Sequence, residues 1–553
     1  MNPRICAAVM ASTLLSVNTI ANEIEEVIIT SSLIDQTLSD IENPLHVVTG
    51  EDIETTATQS LGESLDGLLG VSSADYGSGV GQPIIRGMSG NRVKVLNNGM
   101  VVRDVAGIGA DHVNDVDLNN IQQIEVVRGP SSLLYANGTI GGIINVVDNT
   151  IARDDFSESA LKIGLEAQSV NDGDGHNLSY QNNIGGLNIS LGYKNSQFDN
   201  FDIPSGAILH DEDHDEDHDE DHDDHEGDHE EDEGFLANSD FENKALKFGV
   251  SKTGDWGYFG VSVNSVESIY GIPFHGEHGD EHGDEHGDEH GDEHGDEEEE
   301  HEEERIFSST DSKSFTIKGL YNLNADLIKS VAYTYRDSDY SLVEAHAEEE
   351  GHDDHEEEDH EEHQPTLFKN DSSEYGAIFD MSNEDITQKF VFNFVDEDSS
   401  IVGEEAFMNP ANSEELTLGY YISKDFEPFN VDFGMRLDQI DRSGSVTDED
   451  HGDTDYYNID DSTNSFAVSL ARELSDTVNM NIGYASVERL PTVIELFMNG
   501  PHLATGRLET GNPNLQSEIS NNFDITFNFE SGEYYGYASF YVNDVDNYIT
   551  LMD

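Results

Sequence analysis

The 553-residue sequence predicts a transmembrane β-barrel preceded by a small α+β domain, and three observations carry that reading. From about residue 155 onward, apolar and polar residues trade places at period two, with no helical pattern between them. The connectors between these runs alternate between short and long. Outside the first twenty or so residues there is no uninterrupted run of roughly 18 apolar residues. That last point excludes a transmembrane helix but not a barrel, whose strands average to a polar composition.

The elements follow in chain order. Arg4, the apolar stretch from Ile5 to Ile20 and the small residue Ala21 read as a secretory signal over residues 1–21. The only cysteine, Cys6, lies inside it, so the processed chain is expected to have neither disulfides nor thiolate metal sites. Residues 40–150 are glycine-rich and mixed. The runs Val93–Leu96, Ile124–Val127 and Gly142–Val147 read as short strands, and the spacing of Leu61, Leu65, Leu68 and Leu69 predicts a helix over Ser60 to Leu69.

Residues 155–553 read as the barrel. Leu161–Glu166, Leu187–Leu191, Phe259–Val263 and Phe466–Leu470 each alternate cleanly, leaving one face apolar. Short turns are expected at Thr253–Asp255, Leu323–Ala325, Ser382–Glu384, Lys424–Phe426, Leu474–Asp476 and Ser531–Glu533, with a long connector between each and the next. Counting this way gives about fifteen strands. A soluble β-sandwich is the alternative, but its loops have no reason to alternate so regularly in length.

Charge is the second strong signal. Lys and Arg total 25 against 116 Asp and Glu, a formal net charge of −91, so a nucleic acid partner would be repelled. Three tracts, 210–233, 275–304 and 344–363, contain 46 of the acidic residues, 18 of the 23 histidines and no Lys or Arg. All three are expected in long connectors, and strand parity puts them on one rim. Residues 210–221 are three copies of His-Asp-Glu-Asp, and 278–297 are five copies of His-Gly-Asp-Glu. Imidazole with carboxylate suits Zn²⁺, Ni²⁺, Co²⁺ and Cu²⁺, and the lack of sulfur argues against Cu(I). The histidines at four-residue spacing (His210, His214, His218 and His222, then His278, His282, His286, His290 and His294), together with His352, His355 and His360, therefore read as overlapping weak metal-capture sites. A merely solvating or calcium-binding fringe would need carboxylates alone.

Several motifs resemble those of TonB-dependent outer-membrane receptors, over nearly the whole chain. Glu25 to Ser31, with Glu26, Val27, Ile28, Ile29 and Thr30 at its centre, looks like the TonB box that pairs as a strand with the energy-coupling protein TonB. Pro83–Met88 continuing to Val93–Gly99, and Ile124–Tyr135 closed by Gly141–Val146, resemble the hallmarks of the plug domain. The resemblance implies a 22-stranded barrel in the outer membrane of a Gram-negative bacterium, filled by an N-terminal plug, with substrate passing when TonB pulls on the box. The chain stops at Met552–Asp553 after an upward-type strand, so the closing strands are expected to lie outside it.

Within that family the zinc-uptake branch is the nearest likeness. Asp111 and His112 in the plug, and His502 in a long late loop, resemble its plug and barrel ligands; His275 and Glu277 resemble a third contributor. The resemblance thus implies import of a divalent transition metal, zinc first, with no prosthetic group and with TonB and membrane lipid as partners. Two other readings remain. One is a haem or siderophore receptor: Arg489-Leu490-Pro491 and Asn512–Leu515 flanking His502 resemble the loop of haem receptors, in which a histidine is an axial ligand. A surface protein that only buffers metal is the other. No Gly-x-Ser-x-Gly, His-Glu-x-x-His or phosphate-loop pattern supports an enzyme.

Overall fold

The computed structural model describes residues 28–29, 36–37 and 46–552, excluding 57–58, 78, 205–206, 208–233, 274–304, 324, 348–364, 404–405, 448–451, 503–506 and 532–533. Fifteen strands, from Ala160–Ala167 to Tyr534–Asp546, form one sheet in which each strand pairs antiparallel with the next. The two outermost strands are the edges of that sheet among the described residues.

The period-two alternation of the sequence becomes an inside-out arrangement. In the strand Phe241–Gly254, Ala245, Lys247 and Ser251 are buried against the concave side, while Leu246 and Phe248 are exposed on the convex side. Leu161, Ile163 and Leu165 are exposed on the first strand in the same way. A soluble sheet hides its apolar face; this one presents it outward, as lipid requires, and keeps its polar face dry.

What keeps that face dry is the N-terminal domain. Its central sheet runs in the order His46–Thr49, Ile121–Val127, Gly142–Asp148, Val93–Asn97, Met100–Val101, with a separate hairpin of Val71–Asp75 and Gly81–Ile85. All three expected runs are strands, and Ile124, Val126, Ile144 and Val146 pack the domain's core beneath helix Gly50–Thr56. The second helix covers only Leu61–Leu65, capped by the Ser60 hydroxyl, and does not reach Leu69. Gly67 and Gly70 take φ of +88° and +76°, outside the helical region, so the chain turns away and leaves Leu69 exposed.

Buried ion pairs tie the two parts together. Arg92 of the N-terminal domain forks onto Glu518 of the sheet, which also receives Arg489 at 2.6 Å. Lys247 reaches Asp117 at 3.0 Å and Asp148 at 3.5 Å, and Arg103 reaches Glu397 at 3.0 Å.

The short turns fall where the sequence placed them, with one offset. Phe426 pairs with Phe429, so the turn expected at Lys424–Phe426 occurs two residues later, at Glu427-Pro428. The longer connectors, among them 199–240, 272–304, 348–365 and 490–517, all leave from the opposite rim. The tracts 210–233 and 275–304 lie in them and outside the described residues. The third tract starts earlier than a loop should: Glu344 to Ala347 are the end of the strand Ser330–Ala347, because cross-strand pairing with Arg305 to Ser308 continues to Ala347.

Two outcomes follow. Phe248→Arg should cost about 2–4 kcal/mol of folding free energy in lipid bilayers if that residue faces the membrane midplane; an unchanged folding equilibrium would mean it does not. Glu518→Ala removes the counter-ion of the buried Arg92 and leaves Arg489 with Glu495 alone, and should loosen the N-terminal domain by about 3–5 kcal/mol, read as accelerated proteolysis of that domain.

Candidate metal centre

The loop from 102 to 120 in the N-terminal domain is long, yet it is held at several points. The side-chain Nε2 of Gln82 lies 2.8, 2.6 and 2.9 Å from the carbonyl oxygens of Ala106, Gly109 and His112. Asp104 accepts the backbone N–H groups of Ala106 and Asp115. At Gly109 a Cβ would stand 2.2 Å from Asp111 Oδ1, so only glycine lets the chain pass this closely. The result is that Asp111 and His112 are fully buried at the top of the domain.

His502 arrives from the other side. The connector between strands Val478–Arg489 and Glu518–Ser531 carries a short helix, Val493–Phe497, whose capping box joins Thr492 and Glu495. Glu495 also grips Arg489 with two bonds of 2.9 Å. The hairpin Asn499–His502 with Arg507–Thr510 follows, fixed by Asn499 N–H to the Phe407 carbonyl at 2.6 Å. Its inner side chains are His502 and Glu509, both buried.

The two halves meet. Asp111 Oδ2 lies 3.5 Å from His112 Nε2 and 3.6 Å from His502 Nε2, and the donor atoms of all three residues fall within 4.8 Å of one another. The imidazoles stack at 5.7 Å. Phe368 packs edge-on to His112 and Phe407 lies against His502, which closes the site with apolar rings. Among the described residues, neither oxygen of Asp111 nor either ring nitrogen of His112 has a hydrogen-bond partner. Buried polar atoms in a native fold are almost always satisfied, so this vacancy of partners is a specific clue. Tetrahedral ligands about 2.1 Å from a Zn²⁺ stand roughly 3.4 Å apart, and the observed spacings are close to that.

Two further carboxylates belong to the site and were not singled out in the sequence. Glu509 lies 3.3 Å from His502 Nδ1, the arrangement that orients a ligating imidazole from behind. Glu344 is buried at the end of its strand, and its charge acts on both His502 and Tyr76. Parity could have found Glu344, since Leu342 and Glu344 share the inward face; nothing in the sequence pairs Glu509 with His502 except a hairpin invisible to periodicity.

The protonation states diverge sharply. Burial alone would raise the Asp111 carboxyl, but the neighbouring His112 and His502 hold it far below the carboxylate range. Burial lowers His112, against the pull of Asp111. For His502 burial works in the same direction, yet Asp111 and Glu509 outweigh it and lift the imidazole to about 10.

Of the other expected residues, His275, Glu277, His210, His214, His218, His222, His278, His282, His286, His290, His294, His352, His355 and His360 lie outside the described residues, as do Glu26, Val27 and Thr30. Ile28–Ile29 form a two-residue strand with Gln36–Thr37.

Comparison with known proteins agrees with this architecture. Residues 37–143 match the family TonB-dependent Receptor Plug Domain, and residues 142–553 match TonB dependent receptor-like, beta-barrel. The vitamin B12 transporter BtuB of Vibrio vulnificus (strain CMCP6) is 29% identical over 174 residues, 30% of this chain and 28% of the relative. The chain thus spans under a third of that relative's length. Among solved structures, the copper transporter OprC superposes with a TM-score of 0.64 at 14% identity, covering 91% of this chain and 72% of the other. The haemophore receptor HasR of Serratia marcescens, in complex with HasA and haem, gives 0.68 at 12% identity, covering 92% and 74%. At those identities the likeness is one of fold.

With His502 protonated at neutral pH and His112 neutral, a cation entering the site displaces one proton. Zn²⁺ affinity of the purified protein should therefore rise by about tenfold per pH unit between roughly pH 6 and 8. A flat calorimetric profile over that range would remove His502 from the ligand set.

Proposed function

The chain belongs to the TonB-dependent receptors of the Gram-negative outer membrane, and on that footing we propose that it imports a divalent transition metal, zinc first. The observation that carries the reading is the convergence of Asp111, His112 and His502, buried donors from two separate parts of the fold, on a point where one ion would satisfy them all. Two imidazoles and a carboxylate suit Zn²⁺ and its neighbours in the first transition row. Glu344 adds a buried negative charge that acts on His502, and Glu509 holds the His502 ring from behind.

Release is built into the same arrangement. Two ligands ride on the plug and one on a barrel connector, so any movement of the plug parts them. In this reading the TonB box at Glu25 to Ser31 transmits the pull, and the histidine-acid tracts raise cation concentration at the outer mouth.

The haem alternative meets an electrostatic objection. Axial ligation uses a ring nitrogen, and both nitrogens of His502 face carboxylates, Nε2 toward Asp111 at 3.6 Å and Nδ1 toward Glu509 at 3.3 Å, an environment that disfavours an anionic porphyrin. Copper(II) fits the ligand types too, so metal competition is the decisive assay.

His112→Ala and His502→Ala should each abolish the single tight Zn²⁺ event in calorimetry while leaving the weak background from the tracts. Glu509→Gln should weaken the tight event by about 10- to 100-fold. In cells under metal chelation, deletion of residues 25–31 should stop growth as fully as the double histidine variant. Normal growth of the box deletion would sink the import reading and leave only metal buffering.

A further inference from the structure

Beside the metal centre, between plug and sheet, lies a cavity of about 170 Å³. That is far more than the ~10–15 Å³ one water needs. Val105 to Ile108 and Phe368 line it, and Phe368 also packs edge-on to His112. Its charged wall is uneven. The Arg103 guanidinium is committed to Glu397 at 3.0 Å, and Arg489 to Glu495 and Glu518. Glu415 accepts the Asn137 amide at 2.9 Å. Asp104 and Glu488 have donors of their own: backbone N–H groups for the first, Ser517 and Asn464 for the second.

Lys94, on the plug strand Val93–Asn97, and Arg442, on the sheet strand Phe429–Thr447, are different. Both face the cavity, and no hydrogen bond or ion pair engages either among the described residues. Arg442 is only 6% exposed. Glu415 is the carboxylate that acts most strongly on both, with a lesser effect from Glu397 on both and from Glu495 on Arg442, and each of these three carboxylates is already hydrogen-bonded to another partner. Two buried cationic donors with no hydrogen-bonded counter-ion of their own cost free energy unless something else completes them.

We propose that this cavity binds a small oxyanion, carboxylate or phosphate, between Lys94 and Arg442. The guanidinium offers a planar fork that matches two oxygens, and the ammonium offers a compact charge from the opposite wall. Because one cation belongs to the plug and the other to the barrel, the anion bridges the seam. Its position next to the metal centre suits a cation arriving with a carboxylate chelator as well as a free anion. Burial lowers the Lys94 ammonium to about 8, as expected of a cation without a partner.

The test is calorimetry on the purified full-length protein in detergent, with citrate and inorganic phosphate as probes. At least one should bind without zinc, and Lys94→Gln and Arg442→Gln should each weaken it by about tenfold or more, about 1.4 kcal/mol. Lys94→Arg and Arg442→Lys, which retain the charge, should retain binding, so a folding defect is separable from a lost contact. Tighter citrate binding with zinc present would identify a chelate as the source, and equal binding a free anion. His112→Ala should lose zinc and keep the anion, so failure of the metal reading would not be mistaken for failure of this one. No saturation by either probe below about 10 mM, or binding unchanged in both glutamine variants, would overturn the proposal.

Discussion

The interior of this molecule depends on charge pairing across the seam between plug and sheet. An inside-out sheet turns its polar face inward, and that face is tolerable in a dry interior only if each group on it finds a partner. The partners come from the plug: Arg92 for Glu518, Asp117 and Asp148 for Lys247, Arg103 for Glu397. Apolar packing could hold a plug in many orientations. Directional ion pairs with fixed partners hold it in one, which is the property a ligand site shared between the two parts requires.

The proposed metal centre is one place where this rule is broken. Around it, Arg489 has Glu495 and Glu518, and Asn499 has Phe407 and Thr447. At its centre, among the described residues, the Asp111 carboxylate oxygens and the His112 ring nitrogens have no hydrogen-bond partner. Other buried side-chain atoms also lack partners, but here donors from two parts of the fold converge on one point, which is what a cation site would require. The opposed shifts of His112 and His502 have the same origin: two imidazoles beside one carboxylate cannot both carry a proton in a buried space.

Much of this was legible beforehand. Alternation and connector length gave fifteen strands, which is the number in the sheet, because a strand half exposed to lipid must write its two faces into the sequence. Asp111, His112 and His502 were found by motif and position, and the fold brings them together. What was hidden depended on tertiary geometry. Glu509 meets His502 only through a hairpin register, and Glu344 was masked by the acidic tract that follows it. The helix after Ser60 ended early because two glycines overrode a leucine spacing that still looked helical.

The seam also explains why a tight site need not be a trap. In the proposed import of zinc, a closed set of four ligands on one rigid element would hold the ion too long for transport. The proposed ligands are divided: Asp111 and His112 sit on a loop secured by Gln82 to the plug, and His502 on a hairpin secured by Asn499 to the barrel connectors. The anchors hold each half in place, and at the site itself the two halves meet only through noncovalent contacts. Work done on the plug therefore concentrates at the boundary between them, where the ion pairs and the ligand set lie, and a small displacement there changes coordination number before it disturbs either core. Affinity at rest and release under load are then two states of one boundary, and they do not require separate sites.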